Sequence, residues 1–159
     1  MVKSMTTYYS DQPIDHSIIE NSRHCMFLAG PTPRSNDVKS WRPDAIDVLE
    51  RAKYDGVVFI PEFDTTNMPQ WDYLHQVSWE TWGLINAKVI VFWVPRALET
   101  MPAFTTNVEF GRFIDSGRVI YGRPDDSVRN GYLDWLYEDV TGDKPHNNLD
   151  SLMLEATTR

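Results

Sequence analysis

Two glutamates carry the most chemical information in this chain. Glu109 follows Thr105-Thr106-Asn107, whose side-chain oxygens suit a helix start, so the spacing predicts a helix with Glu109 in its first turn. The helix dipole there favours the ionised carboxylate and lowers its pKa. A carboxylate held ionised beside a cleft suits attack on an electrophilic carbon or stabilisation of an oxocarbenium ion. Acidic residues are also common in first turns simply because they satisfy the dipole, and both readings stand at this point. Glu80 lies between Trp79 and Trp82. Turned toward a cleft, it is desolvated by the indoles, its pKa rises, and it becomes a general acid opposite an ionised Glu109; turned outward, it is an ordinary solvated glutamate.

The segment Gly30-Pro31-Thr32-Pro33-Arg34 offers close backbone approach at Gly30, a hydroxyl at Thr32 and a guanidinium at Arg34. It lacks the lysine of a P-loop and is no dinucleotide fingerprint. Arg42, Arg96 and Arg112 add positive charge that serves either the same rim or surface ion pairs. No Gly-x-Ser-x-Gly elbow occurs, and the single cysteine, Cys25, sits in an apolar run, so Ser or Cys nucleophiles have no support. Cys25 and the scattered His16, His24, His75 and His146 show no zinc-ligand spacing. The expectation is a protein with no metal and no cofactor.

Short apolar runs alternate with amphipathic stretches. Strands are predicted at 24–29, 57–60, 88–94 and 118–121, with a possible short edge strand from Met5 to Tyr9 in an otherwise polar arm of residues 1–22 where little function is expected. Between them, Ser40 caps a helix with Ala45, Ile46, Leu49, Ala52 and Tyr54 on its apolar side, ending at Gly56. A second helix runs from Gln70 to about Ile85, with Trp71, Leu74, Val77, Trp82 and Ile85 as its stripe and Glu80 off it. Further helices are predicted from Thr105 to Ser116, Ser127 to Asp139 and Leu149 to Ala156. Such alternation implies an α/β fold, a parallel sheet covered on both faces, in which ligands bind beyond the carboxyl ends of the strands. The loops that matter are then 30–42, 61–71 and 95–109.

The 159 residues suit one domain. The longest apolar stretches, such as Val89 to Val94, fall well short of a membrane span, and Met1 begins no basic-then-apolar signal segment, so a cytoplasmic location with no membrane association is expected. A net charge of −8 argues against a nucleic-acid polymer as partner, because such binding depends on basic residues at phosphates. A small ligand or another protein fits better. Aromatic residues make up 13% of the chain and serve either as core or as flat walls for a planar ligand.

Four segments in order, Phe27-Leu28-Ala29-Gly30-Pro31-Thr32-Pro33-Arg34, Ser40-Trp41-Arg42-Pro43, Val91-Phe92-Trp93-Val94-Pro95-Arg96 and Pro102-Ala103-Phe104-Thr105-Thr106-Asn107-Val108-Glu109-Phe110-Gly111, resemble the nucleoside 2-deoxyribosyltransferase-like family. The resemblance implies a flavodoxin-like, Rossmann-like three-layer sandwich with a four- to five-stranded parallel sheet, formed by residues 23–159 after the arm. It also implies cleavage of the N-glycosidic bond of a nucleoside or nucleotide. Glu109, in Glu109-Phe110-Gly111, takes the place of the glutamate that attacks the anomeric carbon, and Glu80 is the best match to a second acidic residue near the base. The glycosyl-enzyme ester is resolved by a free nucleobase, giving transfer, or by water, giving hydrolysis; a nucleotide-binding module without turnover is the remaining alternative. Gly30, Pro31, Thr32, Arg34, Arg42 and Asn107 are the implied substrate contacts, with Trp41, Trp79 and Trp93 stacking on the base. Homodimers or higher homo-oligomers are implied, with sites near subunit interfaces.

Overall fold

The computed structural model describes residues 4–64 and 72–159. Its centre is a parallel sheet of β1 (Thr6–Tyr9), β2 (Cys25–Ala29), β3 (Val57–Ile60), β4 (Val89–Trp93) and β5 (Val119–Gly122), in the order β1-β3-β2-β4-β5. β2 to β5 are buried at every position. That is why they read as unbroken apolar runs and not as alternating ones. The architecture is the flavodoxin-like α/β sandwich that the sequence implies, with the fifth strand supplied at the β3 edge by the N-terminal arm.

Two layers of helices cover the sheet. On one face α2 (Arg42–Arg51) and α6 (Leu149–Ala156) pack Ala45, Leu49, Leu152 and Met153 against Met26, Leu28, Val58 and Val91. On the other, α3 (Tyr73–Asn86), α4 (Phe104–Phe113) and α5 (Gly131–Thr141) bury Trp79, Leu84, Phe110 and Tyr137 against Phe27, Phe59, Phe92 and Tyr121. A short α1 (His16–Glu20), which the sequence did not signal, joins β1 to β2, and its Ile19 packs against the second cluster.

The chain leaves β2 toward β3 on one side and returns to β4 on the other. The connections therefore diverge at the carboxyl ends of β2 and β4, where an open parallel sheet leaves a crevice. Gly30 sits there with φ +138, and a Cβ would lie 2.1 Å from the Trp93 carbonyl oxygen, so only glycine lets these two strand ends approach.

Two helices differ from the sequence expectation in ways that bear on function. α3 does not bury the stripe Leu74, Val77, Ile85: these are exposed, as is Tyr73, while Trp79, Gly83 and Leu84 face the sheet. Gly83 sets this phase, because its bare Cα lies against the Phe27 ring. Trp71 and the expected start at Gln70 lie outside the described residues. α4 starts at Phe104 behind Ala103, which is left-handed (φ 63), so Thr105, Thr106 and Asn107 are inside the helix. Glu109 is then in the second turn and not in the first. α2 and α5 also differ in extent, starting at Arg42 and Gly131.

Candidate active site

Beyond the carboxyl ends of β2 and β3, the α3 and α4 layer leaves a cleft of about 700 Å³, within the roughly 300–1,000 Å³ common for small-molecule sites. Glu80 enters it from α3 and Glu109 from α4, while Gly30, Pro31, Thr32, Arg34 and Arg42 line it from the loop after β2 and the start of α2. The two glutamates are thus brought to one cleft by separate helices.

Their environment reverses one electrostatic expectation. Both carboxyls are half-buried. Burial, with the charge of Glu80 second, pushes Glu109 up to about 7 against the attraction of Arg42. The helix dipole does not lower it, since the effect fades beyond the first turn. Burial also raises Glu80, opposed by a hydrogen bond from Gln76 Nε2 to Glu80 Oε1 (3.0 Å) and by the charge of Arg42. Burial thus raises both carboxyls, and the charge of one opposes the ionisation of the other, so they titrate as a coupled pair.

Arg42 holds the floor of the cleft. Its side chain is 1% exposed, and it makes four hydrogen bonds within the chain: Nε to Leu28 O (3.0 Å), Nη2 to Gly30 O (2.8 Å), and Nη1 to Thr32 Oγ1 (2.9 Å) and Glu62 Oε1 (3.0 Å). Ser40 Oγ donates to the same Glu62 oxygen (2.6 Å). Pro43 sits in the first turn of α2, where no backbone donor is needed. Glu62, Gln76 and Phe104 line the cleft without having been singled out from the sequence. Glu62 was within reach of that reading, since a carboxylate directly after Pro61 closes β3 in a loop already marked as important.

Arg96 does the equivalent work beneath α4. It is 5% exposed, and its guanidinium donates to Pro102 O (2.6 Å), Asn107 Oδ1 (2.6 Å) and Asn130 Oδ1 (3.2 Å). These bonds fix the start of the helix that carries Glu109. They also occupy the Asn107 side-chain oxygen, and Asn107 does not line the cleft.

The three tryptophans are elsewhere too. Trp41, Trp79 and Trp93 are each about nine-tenths buried or more and do not line the cleft. Trp41 Nε1 donates to Pro31 O (3.1 Å), Trp79 Nε1 donates to Gln12 O (3.1 Å), and Trp93 packs among the α2 and α6 residues. Among the described residues, the aromatic side chains that do face the cleft are Phe63, Tyr73 and Phe104, with the Arg34 guanidinium 5.7 Å from the Phe104 ring centre. Among the described residues, no group of three or more His, Cys, Asp or Glu is placed to hold a metal ion. No described helix is long and apolar enough to cross a membrane.

The structure is thus a doubly wound α/β fold in which two glutamates line one cleft at the strand ends, where such sheets bind their ligands. Residues 23–127 match the family model described as nucleoside 2-deoxyribosyltransferase like, and the chain belongs to that family. The match covers the cleft residues from Gly30 to Glu109 and ends before α5. Membership supports an enzyme of glycosyltransferase kind, and the family implies small-molecule nucleoside substrates. No curated protein matches the chain.

Proposed function

We propose that the protein cleaves the N-glycosidic bond of a 2′-deoxynucleoside or its nucleotide and transfers the deoxyribosyl group to another nucleobase. The observation that carries this reading is the delivery of Glu109 and Glu80 into one cleft from two helices. In the proposed reaction the Glu109 carboxylate attacks the anomeric carbon as the bond to the base breaks, and the electron pair of that bond leaves with the base. Glu80, protonated, donates to the departing base. The incoming base then attacks the anomeric carbon and breaks its ester bond to Glu109, passing its N–H proton to Glu80, so that both carboxyls return to their starting states.

Arg42 serves by keeping the β2 loop and the carboxylates in register, while Arg34 is the exposed guanidinium on the rim. Exposed Tyr73 and Leu74 on α3, Phe104 and Val108 on α4, and Tyr132 and Trp135 on α5 support assembly as a homo-oligomer beside the cleft.

The deciding experiment incubates the protein with deoxynucleosides and their 5′-monophosphates, with and without a second free base. A new nucleoside formed only when the second base is present supports transfer. Free deoxyribose, or its phosphate, formed without any acceptor shows that water resolves the ester instead, and saturable binding with no base release marks a silent binding module.

A further inference from the structure

Residues 1–22 precede the family match, yet several of them grip the two segments that form one wall of the cleft. Trp79 and Trp82, the tryptophans on either side of Glu80, both reach the arm. Trp79 Nε1 donates to the Gln12 backbone oxygen at 3.1 Å, and the His16 ring meets the Trp82 ring edge-on with centres 4.5 Å apart. The Gln12 carbonyl is itself held in place, because Gln12 Oε1 accepts the Tyr9 backbone N–H at 3.0 Å and Gln12 N–H donates to Tyr9 O at 3.0 Å. The same turn holds the end of β3: Ser10 N–H donates to Glu62 O (2.9 Å), and Asp64 N–H donates to Asp11 Oδ1 (3.3 Å).

We infer that the N-terminal arm is a positioning element of the active site, fixing the rotation of α3 through the Gln12–Trp79 and His16–Trp82 contacts so that Glu80 faces Glu109. Trp79, Gly83 and Leu84 seat α3 on the sheet through apolar contacts, which leave it some freedom to shift. The Gln12 carbonyl and the His16 ring add directional contacts from outside the sheet that limit this freedom, and Glu80 is the next residue after Trp79. The groups facing Glu80 from the neighbouring elements are Glu109 on α4 and the Arg42 guanidinium on α2, with Gln76 on its own helix. A small rotation of α3 therefore changes both the distance from acid to base and their coupled titration. Trp79 and Gln12 are positioning residues that act through Glu80, and the inference rests on the proposed role of Glu80 in the reaction.

The test uses the full chain with Trp79→Phe, which keeps an aromatic ring and removes the N–H, and Gln12→Ala, which frees the carbonyl turn. Leu152→Val, in the opposite helix layer, controls for lost stability. At a temperature where all are folded, Trp79→Phe and Gln12→Ala should each lower kcat about tenfold or more with KM little changed, and shift the pH profile. Their double variant should be little worse than either alone, while Leu152→Val keeps the wild-type kcat and profile. Hydrogen exchange should show amide protection lost in 73–86 and retained in α2 and α6. Wild-type kcat and pH profile in both arm variants would overturn the inference while leaving the proposed reaction standing. If the wild type releases no base from any substrate, the reaction fails instead, and unchanged exchange in 73–86 of the variants then overturns the arm as an anchor.

Discussion

Glu80 projects from α3 into the cleft that Glu109 enters from α4, and its negative charge opposes the ionisation of Glu109. The buried Arg42 beneath them works the other way. Charges on three helices thus bear on the ionisation of Glu109, and the bonds of Arg42 and Arg96 hold α2 and α4 in place. The pH behaviour of the enzyme follows from this balance.

A nucleophilic Glu109 must be ionised, and burial holds it at about 7. For the unliganded enzyme, kcat/KM should therefore rise with pH through about 7. Glu80→Gln removes the charge that pushes Glu109 up, so the acidic limb should move to lower pH while the maximum rate drops. The measurement is kcat/KM against pH for both proteins, and an acidic limb that stays in place would show that the two carboxyls do not interact.

The same burial makes Glu109 a cost to the fold at alkaline pH. Its carboxyl binds a proton more tightly folded than unfolded, so its contribution is fully present below about 4.5, is lost as pH rises through about 7, and is constant above that. A rise from 4.5 to about 7 sets a ceiling of about 3 kcal/mol, and partial solvent access reduces it to about 1–2 kcal/mol. Glu109→Gln should therefore be more stable than the wild type at pH 8 by that amount and equal to it near pH 4, as read by urea unfolding. Its turnover should fall by about 10³-fold or more with substrate binding nearly unchanged.

Much of the fold could be read from the chain because β2 to β5 are buried on both faces and so appear as plain apolar runs. Helix phase was harder. Leu74, Val77 and Ile85 make a convincing apolar stripe, but a glycine contributes nothing to such a stripe even when, like Gly83, it is what seats the helix. Thr105, Thr106 and Asn107 look like caps, whereas the α4 start is set by the left-handed Ala103, a backbone property that alanine does not announce. That displacement moved Glu109 out of the first turn, and burial, which the chain does not announce, set the direction of its pKa. Glu80 and Glu109 were legible as residue types in the right loops and helices. Their common cleft was not, because it depends on the Arg42 and Arg96 networks, whose partners lie 10 to 34 residues away or are backbone carbonyls invisible to any motif.

Arg42 is predicted to be irreplaceable even by another cation. Arg42→Met leaves Glu62 without its cation and the Leu28 and Gly30 carbonyls without the guanidinium, and breaking a buried pair in this way costs about 3–5 kcal/mol. Arg42→Lys retains the charge but offers one ammonium where four bonds diverge from a planar fork, so it should recover only a minor part of the loss. Thermal unfolding of the two variants checks this, and a fully stable Arg42→Lys protein would show that charge alone suffices. Loss of the cation should also move the acidic limb of kcat/KM to higher pH, since Arg42 favours the ionised form of both carboxyls.

Gly83→Ala tests whether the seat of α3 controls Glu80. A methyl group there would stand 2.8 Å from Phe27 Cδ2 and 2.9 Å from Cε2, against a ring that is 1% exposed and backed by Phe59 and Trp79. Overpacking of this kind costs about 1–3 kcal/mol, offset by about 1 kcal/mol from the better helix propensity of alanine. The net loss of stability should therefore be modest. The effect on catalysis should be larger, because relief of the clash lifts α3 from the sheet and carries Glu80 away from the cleft wall while Glu109, on α4, stays in place. The expected outcome is a Tm lowered by a few degrees and a kcat reduced far more than the loss of folded protein explains. A variant with that lower Tm and full kcat would mean that Glu80 tolerates displacement and does not act on the departing base.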